Sequence, residues 1–393
     1  MVCLVSVFKT KTLVKCILVP NLELFFKPFF ENFFVHAKSQ PLAFLIAFVI
    51  TFTVTPLIKR RLVFLTQDRP EEEGRKASSI PRLGGIAIFI SIVFTIFFYL
   101  AVFGRYTPNG VKHWELEPII IGALIIFFIG LLDDIKPLPA LVKFTTQIVA
   151  ASIVWLMGIR VEFLANPIHY LDHARASAFD LGDLASFFIT VLFLVAITNA
   201  INLIDGIDGL AVGVCMICSV AIWAINLSPL LNQPAAAIFA ATMAGSCFAF
   251  LRYNFNPAKI FLGDGGSYLL GFCLACISCI GLTKKVTVVI LSPMLLLIFF
   301  IPLIDMLYAI IRRASKNKPI FKPDLEHFHH KLLEKGFSEK QINYLFYTIT
   351  FIGGLISTTI LGIDIGIMYV SISVIIVFIW LFFSLVMNYK KQR

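Results

Sequence analysis

The chain has 393 residues, of which 59% are hydrophobic and only 14% are charged. Soluble domains carry about 25% charged residues, so this composition excludes an ordinary soluble protein, and repeated apolar runs of about 20 residues predict a polytopic membrane protein. The formal net charge is +10, but most of the positive charge lies in short loops between the apolar runs, which indicates membrane orientation and argues against nucleic acid as a partner.

Residues 1–40 form an N-terminal extension ahead of the first regular apolar run. The segment LFFKPFFENFFVHAK within it is rich in Phe but is interrupted by Pro28 and by charges, which is compatible with an interfacial helix or an extra span. Lys9, Lys11 and Lys15 interrupt the apolar sequence before it, and such charges argue against a cleaved signal peptide.

Residues 41–390 form one predicted transmembrane domain of about eleven helices. Every span is expected to be α-helical, because lipid offers no partner for unpaired backbone groups. The predicted fold class is therefore all-α. The predicted spans are 41–58, 83–103, 117–132, 140–157, 185–201, 209–226, 234–251, 265–282, 286–310, 343–361 and 366–387.

Lys and Arg residues are distributed unequally between alternate loops of this topology. The odd-numbered loops and the C-terminal tail hold 22 of them, whereas the even-numbered loops hold six. The positive-inside rule therefore places the odd-numbered loops in the cytoplasm, and we expect a multi-pass protein of the plasma (inner) membrane.

Five polar motifs fall in or beside the odd-numbered loops, and therefore on the predicted cytoplasmic face. One face that gathers carboxylates, amides, lysines and histidines is typical of an active site reached from the cytosol. The motifs are RKASSIPRLGG (75–85), GLLDDIKPLPALVKFTTQ (130–147), NAINLIDGIDGL (199–210), FNPAKIFLGDGGS (255–267) and DLEHFHHKLLEKG (324–336).

Adjacent carboxylates, Asp133 and Asp134, end the third predicted span. Such a pair can simply mark the water boundary, but Lys143 follows nine residues after Asp134 near the start of the next helix. A short helix–turn–helix would return this lysine to the carboxylates. Two carboxylates and an ammonium can deprotonate or orient one phosphate and hold another.

Four polar residues recur at every third position in NAINLIDGIDGL. If the segment is helical, Asn199, Asn202, Asp205 and Asp208 present one polar stripe. The alternative is a polar connection between spans in which glycine makes the turn. Because ionisable groups at membrane depth are usually functional, we favour a functional role for these four residues.

Asp264 stands among glycines in FLGDGGS, immediately before an apolar helix. It is interpreted either as a helix N-cap or as a ligand of Mg²⁺, which takes one or two carboxylates together with phosphate oxygens. The motif lacks the GxxxxGK[ST] pattern of a Walker loop.

Three histidines, His327, His329 and His330, lie in a loop rich in Lys and Arg. A zinc site and a solvated basic loop are both alternatives, although the histidine spacing is unusual for structural zinc. A cationic, hydrogen-bonding loop that covers a diphosphate is the interpretation we favour.

The five motifs, in this order and spacing, resemble those of the polyprenyl-phosphate N-acetylhexosamine-1-phosphate transferases, and more narrowly the bacterial undecaprenyl-phosphate N-acetylglucosamine-1-phosphate transferases. The resemblance covers roughly residues 41–390. It implies an eleven-helix fold and Mg²⁺-dependent transfer of a sugar-1-phosphate, with Mn²⁺ as a substitute metal. The implied donor is a UDP-amino sugar, the acceptor is undecaprenyl phosphate in the membrane, and the released product is UMP. The implied reaction is the first membrane step of cell-surface polysaccharide synthesis. Association of the protein into a homodimer is compatible with the resemblance.

The resemblance also implies roles for individual residues. Asp133 and Asp134 match the family's catalytic pair, and Lys143 matches a phosphate-binding lysine. Asp264 matches the metal-binding aspartate, with Asn202 as its co-ligand. The donor site would be formed by Asn199, Asp205 and Asp208 beside the nucleotide, Phe261 near the uracil, and His327, His329 and His330 over the donor.

Several alternatives remain at this stage. The related phospho-N-acetylmuramoyl-pentapeptide transferases share the aspartates but usually carry three consecutive histidines, whereas this chain has H-x-H-H after DLE. An aspartyl-phosphate intermediate is an alternative to direct attack by the lipid phosphate. A different class, the ion-coupled transporters, would place carboxylates near the bilayer midplane and in paired halves, which this sequence does not do.

Overall fold

The computed structural model describes residues 39–61, 80–103, 113–165, 178–227, 231, 233–280, 294–316 and 328–360. The predicted span at 366–387 and residues 1–38 of the N-terminal extension lie outside these ranges. The described elements are the helices α1 (Ser39–Arg61), α2 (Gly85–Phe103), α3 (His113–Ile135), α4 (Ala140–Leu156), α5 (Gly182–Ile204), α6 (Leu210–Asn226), α7 (Pro234–Asn254), α8 (Gly263–Ile280), α9 (Phe300–Ser315), α10 (Phe328–Glu334) and α11 (Glu339–Ile360), and the strands β1 (Phe163–Ala165) and β2 (Ala178–Asp180).

Six of the described helices, α1, α2, α3, α5, α7 and α8, are long and apolar enough to cross a membrane. Helices α4 and α6 are also apolar but have 17 residues each. The prediction of a mainly helical, multi-pass membrane protein is therefore confirmed, while the count of eleven spans stays a prediction.

Helices α7 and α8 form the interior of the bundle, with 83% and 89% of their span residues buried. The outer helices instead expose large apolar side chains, such as Phe97 on α2 and Leu192 on α5, which are 71% and 69% exposed. Such a surface suits contact with lipid, because lipid tails are as apolar as these side chains. Asp264 therefore stands at the end of one of the two most enclosed of these six described helices.

Small polar side chains join neighbouring helices inside the bundle. The Ser91 hydroxyl on α2 donates to the carbonyl oxygen of Ala47 on α1 at 2.8 Å. It also lies 2.9 Å from the hydroxyl oxygen of Ser246 on α7. Such interhelical hydrogen bonds hold helices together where no water competes for the polar groups.

Strands β1 and β2 pair antiparallel, with Phe163 opposite Asp180. The all-α prediction did not include this hairpin, which is too short to carry a clear alternation of apolar and polar residues. It lies between α4 and α5, at the end of these helices opposite the polar motifs. There Trp155 Nε1 donates to the Ser186 hydroxyl at 3.1 Å.

The helix ends differ from the predicted ends where polar residues occur. Helix α3 continues to Ile135, so Asp133 and Asp134 lie in its last turn. Helix α5 ends at Ile204, and a non-helical turn precedes α6. The predicted continuous stripe through Asp205 and Asp208 is therefore wrong, because the glycines of DGIDG interrupt the helix.

Candidate active site

The PRLGG motif holds the loop that precedes α8. Gly84 N donates to Phe261 O at 3.0 Å, and Gly85 N donates to Leu262 O at 2.9 Å. In return, Phe261 N donates to Pro81 O at 2.9 Å. This backbone pairing places the half-buried Phe261 ring next to the start of α8.

Helix α3 contacts the first turn of α8 through a pair of glycines. A Cβ added to Gly130 would lie only 2.6 Å from Gly265 Cα. The two backbones therefore touch, and the carboxylates at the end of α3 come within hydrogen-bonding distance of the first turn of α8.

Lys143 returns to the end of α3, as the sequence predicts. Residues 136–139 link α3 to α4, and Lys143 Nζ donates to Asp133 Oδ2 at 2.9 Å. The other oxygen of Asp133 accepts from Leu138 N at 2.7 Å. Lys143 Nζ also lies 3.6 Å from Asp264 Oδ2, so one ammonium bridges two carboxylates.

Asp264 and Lys143 form the accessible part of this cluster. Their side chains are 32% and 22% exposed, whereas the Asp133 side chain is 5% exposed and lies behind the lysine. Asn202 Nδ2 donates to Asp264 Oδ1 at 3.1 Å and to the Ser267 hydroxyl at 2.9 Å. Ser267, which sequence reasoning missed, thus orients the amide beside Asp264.

Asp134 has different partners from Asp133. Its Oδ1 accepts from Asp264 N at 2.8 Å, and its Oδ2 accepts from Gly265 N at 2.9 Å. The carboxylate therefore binds the backbone at the start of α8.

The donor set around Asp264 fits a hard divalent cation. The described residues contain no group of three or more His, Cys, Asp or Glu that could hold a metal ion. Mg²⁺, however, commonly takes one or two protein oxygens and completes its shell with water and substrate phosphates. The accessible Asp264 carboxylate, with the Asn202 amide beside it, meets that requirement.

The polar residues of NAINLIDGIDGL face three different neighbours. Asn199 Nδ2 donates to Gln147 Oε1 of α4 at 2.5 Å, and Asn202 faces Asp264. Asp208 Oδ2 accepts from Ala258 N at 3.0 Å. Asp205 lies at the end of α5 and is partly exposed. The segment therefore connects α4, α8 and the loop before α8.

Helix α11 supports this turn through residues that sequence reasoning missed. Asn343 Nδ2 donates to Asp208 O at 2.7 Å, and the Tyr347 hydroxyl donates to Gly209 O at 2.6 Å. The available signal was two hydrogen-bonding residues four positions apart on an apolar helix, which is the spacing of one helix face.

The two histidines of the DLEHFHHKLLEKG motif that the structure describes occupy different environments. His329 is 1% exposed, and its Nδ1 lies 3.7 Å from Oδ2 of the buried Asp305. His330 is partly exposed, with its ring 4.4 Å from the His329 ring. His327 lies outside the described residues.

His329 also contacts the DGIDG turn, since a Cβ added to Gly206 would overlap its Nε2. Asp305, which sequence reasoning missed, accepts from Phe328 N at 2.8 Å and so anchors the histidine segment to α9. The described residues of all five motifs are thereby brought together at one end of the bundle.

The fold and the site define a multi-pass membrane enzyme with a lysine-bridged acidic site at one end of its helices. Residues 117–282 match the sequence profile of glycosyl transferase family 4. The chain is 35% identical, over 86% of its length, to the probable undecaprenyl-phosphate N-acetylglucosaminyl 1-phosphate transferase of Bacillus subtilis, 89% of which is covered.

Two further relatives widen the comparison. The decaprenyl-phosphate N-acetylglucosaminephosphotransferase of Mycobacterium tuberculosis is 33% identical over 71% of each chain. The phospho-N-acetylmuramoyl-pentapeptide-transferase of Staphylococcus aureus is 30% identical over 80% of this chain and 96% of its own. The chain belongs to the polyprenyl-phosphate sugar-1-phosphate transferases of glycosyl transferase family 4, and it is a phosphotransferase.

Proposed function

We propose that this enzyme transfers N-acetylglucosamine-1-phosphate from UDP-N-acetylglucosamine to undecaprenyl phosphate, with Mg²⁺, and releases UMP. The observation that carries the proposal is the Lys143 bridge between Asp133 and Asp264, at the end of the bundle where the described residues of the five motifs meet. This reaction would be the first membrane step in building a cell-surface polysaccharide.

The position of the cluster suits one lipid and one water-soluble substrate. A lipid phosphate cannot leave the bilayer, and a UDP-sugar cannot enter it. Both substrates can therefore meet only at the membrane surface, and the cluster lies at helix ends. The excess of Lys and Arg in the loops at this end supports the cytoplasmic face of the plasma membrane.

The chemical step requires two anions to approach each other. An oxygen of the lipid phosphate forms a bond to the β-phosphorus of the donor, and the bond from that phosphorus to the bridging oxygen breaks. UMP leaves with the bridging oxygen. Lys143, as the accessible cation, would hold the phosphates and offset their repulsion.

Asp133 is the carboxylate proposed to orient the acceptor or to take its proton at Oδ2. That atom faces Lys143, so a phosphate held by the lysine comes next to it. We favour direct attack over an aspartyl-phosphate intermediate, because Lys143 covers Asp133 and the backbone amide of Leu138 binds its second oxygen.

Asp264 and Asn202 are the residues proposed to hold Mg²⁺. When bound there, Mg²⁺ would neutralise charge on the diphosphate and stabilise the leaving UMP. Mn²⁺ prefers similar oxygen ligands and is proposed as a substitute.

The donor nucleotide is proposed to lie along the DGIDG turn, near Asp205, Asp208 and the Phe261 ring. His330 and His327 would cover the donor from the histidine segment. The buried His329, and Asn199 through Gln147, would contribute by holding these surfaces in place.

The choice of donor sugar rests on two observations. Two relatives carry N-acetylglucosamine in their names, and this chain has H-x-H-H in place of three consecutive histidines. The Staphylococcus relative supports a second candidate, a muramoyl-pentapeptide donor. Measuring UMP release with each donor in turn distinguishes the two candidate functions.

The test is an assay of UMP release by the purified full-length protein with Mg²⁺, undecaprenyl phosphate and a panel of UDP-sugars. We expect release with UDP-N-acetylglucosamine and little with the muramoyl-pentapeptide donor. Asp183→Asn is a matched control, because this 86% exposed carboxylate lies at the other end of α5. No UMP with any donor would refute the proposal.

A further inference from the structure

We infer that Asp134 is a positioning residue, whose carboxylate caps α8 and thereby sets the place of Asp264. The inference deepens the proposed function, since it assigns different roles to two adjacent carboxylates that the sequence presents as one pair. Asp133 faces the reacting groups, whereas Asp134 holds the backbone that carries the metal-binding aspartate.

Asp134 caps α8 through both oxygens of its carboxylate. The first backbone N–H groups of a helix have no partner within that helix. Both oxygens of Asp134 accept from such groups, Asp264 N at 2.8 Å and Gly265 N at 2.9 Å. A carboxylate at a helix N-terminus also interacts favourably with the helix dipole. Asp134 thus supplies a cap for α8 from a different helix, α3.

The glycines around Asp264 leave room for this cap. Gly263 has φ +77°, and a Cβ on it would lie 2.6 Å from Asp134 Oδ2. A Cβ on Gly265 would lie 3.3 Å from the same oxygen and 3.0 Å from Leu131 N. The glycines flanking Asp264 therefore let a carboxylate lie directly against the backbone of α8.

The contrast with Asp133 separates the two roles. The two residues are about equally buried, at 3% and 4% exposure, so accessibility does not distinguish them. Their partners distinguish them. Asp133 binds the Lys143 ammonium, whereas Asp134 binds the backbone amides of Asp264 and Gly265.

Amide hydrogen exchange of peptides covering 263–267 tests the inference without using activity. Asp134→Asn keeps one carbonyl acceptor but turns an NH₂ group towards the second N–H, so one buried bond is lost. We expect these amides to exchange on the order of tenfold faster in Asp134→Asn. The matched control, Asp133→Asn, should leave their exchange unchanged, because the Asp133 oxygens accept from Leu138 N and Lys143 Nζ.

A second measurement follows the Mg²⁺ dependence of UMP release. Loss of a group that hydrogen-bonds to a metal ligand and orients it typically weakens metal binding by about 10–100-fold. Asp134→Asn should therefore need about tenfold more Mg²⁺ for half-maximal release and recover much of its turnover when Mg²⁺ is saturating. Asp133→Asn should lower turnover at every Mg²⁺ concentration.

Unchanged exchange at 263–267 in Asp134→Asn would overturn the inference. If UMP release were also lost at all Mg²⁺ concentrations, Asp134 would be a reacting group instead. If Asp134→Asn does not fold, Gly265→Ala crowds the same carboxylate and should speed exchange in the same peptides. Failure of the wild type to release UMP would refute the proposed function alone, because the exchange result stands independently.

Discussion

Lys143 Nζ lies 2.9 Å from Asp133 Oδ2, across the four-residue turn that joins α3 to α4. The same nitrogen lies 3.6 Å from Asp264 on α8, so it links three helices through two carboxylates. Without it, two acidic side chains would face each other at the site where anionic substrates are proposed to bind.

Lys143→Gln should lower UMP release by about 10²–10³-fold, because one preorganised charged donor is lost. The measurement is kcat for UMP release with saturating donor and acceptor. Lys136→Gln is the control, since Lys136 lies in the same turn and is exposed. An activity of Lys143→Gln equal to that of Lys136→Gln would contradict a role in phosphate binding.

Asp264→Asn should abolish most UMP release and remove its dependence on Mg²⁺ concentration. The substitution keeps the size of the side chain but removes the negative charge expected to hold the cation. A Mg²⁺ titration of the variant, beside Asp183→Asn, checks this. Near-normal turnover with an unchanged titration curve would exclude Asp264 as the metal-binding aspartate.

Gly206→Ala should displace His329 and destabilise the protein by about 1–3 kcal/mol, because the new methyl group would overlap the buried imidazole. Thermal unfolding in detergent measures the effect. In the double variant Gly206→Ala with His329→Ala, the overlap is gone, so the two effects should not add. Additive losses would show that the two residues do not contact each other.

Omission of the lipid acceptor should eliminate UMP release, including any first-turnover burst. Direct attack needs the acceptor before the donor phosphorus can react, whereas an aspartyl-phosphate route would release one UMP per enzyme without it. Rapid-quench measurement over the first turnover distinguishes them. A stoichiometric burst that disappears in Asp133→Asn would establish the two-step route instead.

Much of the site was predictable because its residues lie in short polar motifs within an apolar chain. The return of Lys143 to Asp133 followed from the length of one turn. Asp305, Asn343 and Tyr347 were not found, because none of them lies in the five polar motifs. Their partners lie on elements far away in the sequence, and local pattern carries no information about such contacts.

The sequence alone determined the membrane class, the family and the five motifs, because apolar length, charge distribution and motif order are local properties. Only the tertiary structure distinguished the partners of Asp133 and Asp134. Adjacent residues on a helix point about 100° apart, so packing decides what each one meets. Here α4 brings a lysine to Asp133 and α8 brings two backbone amides to Asp134.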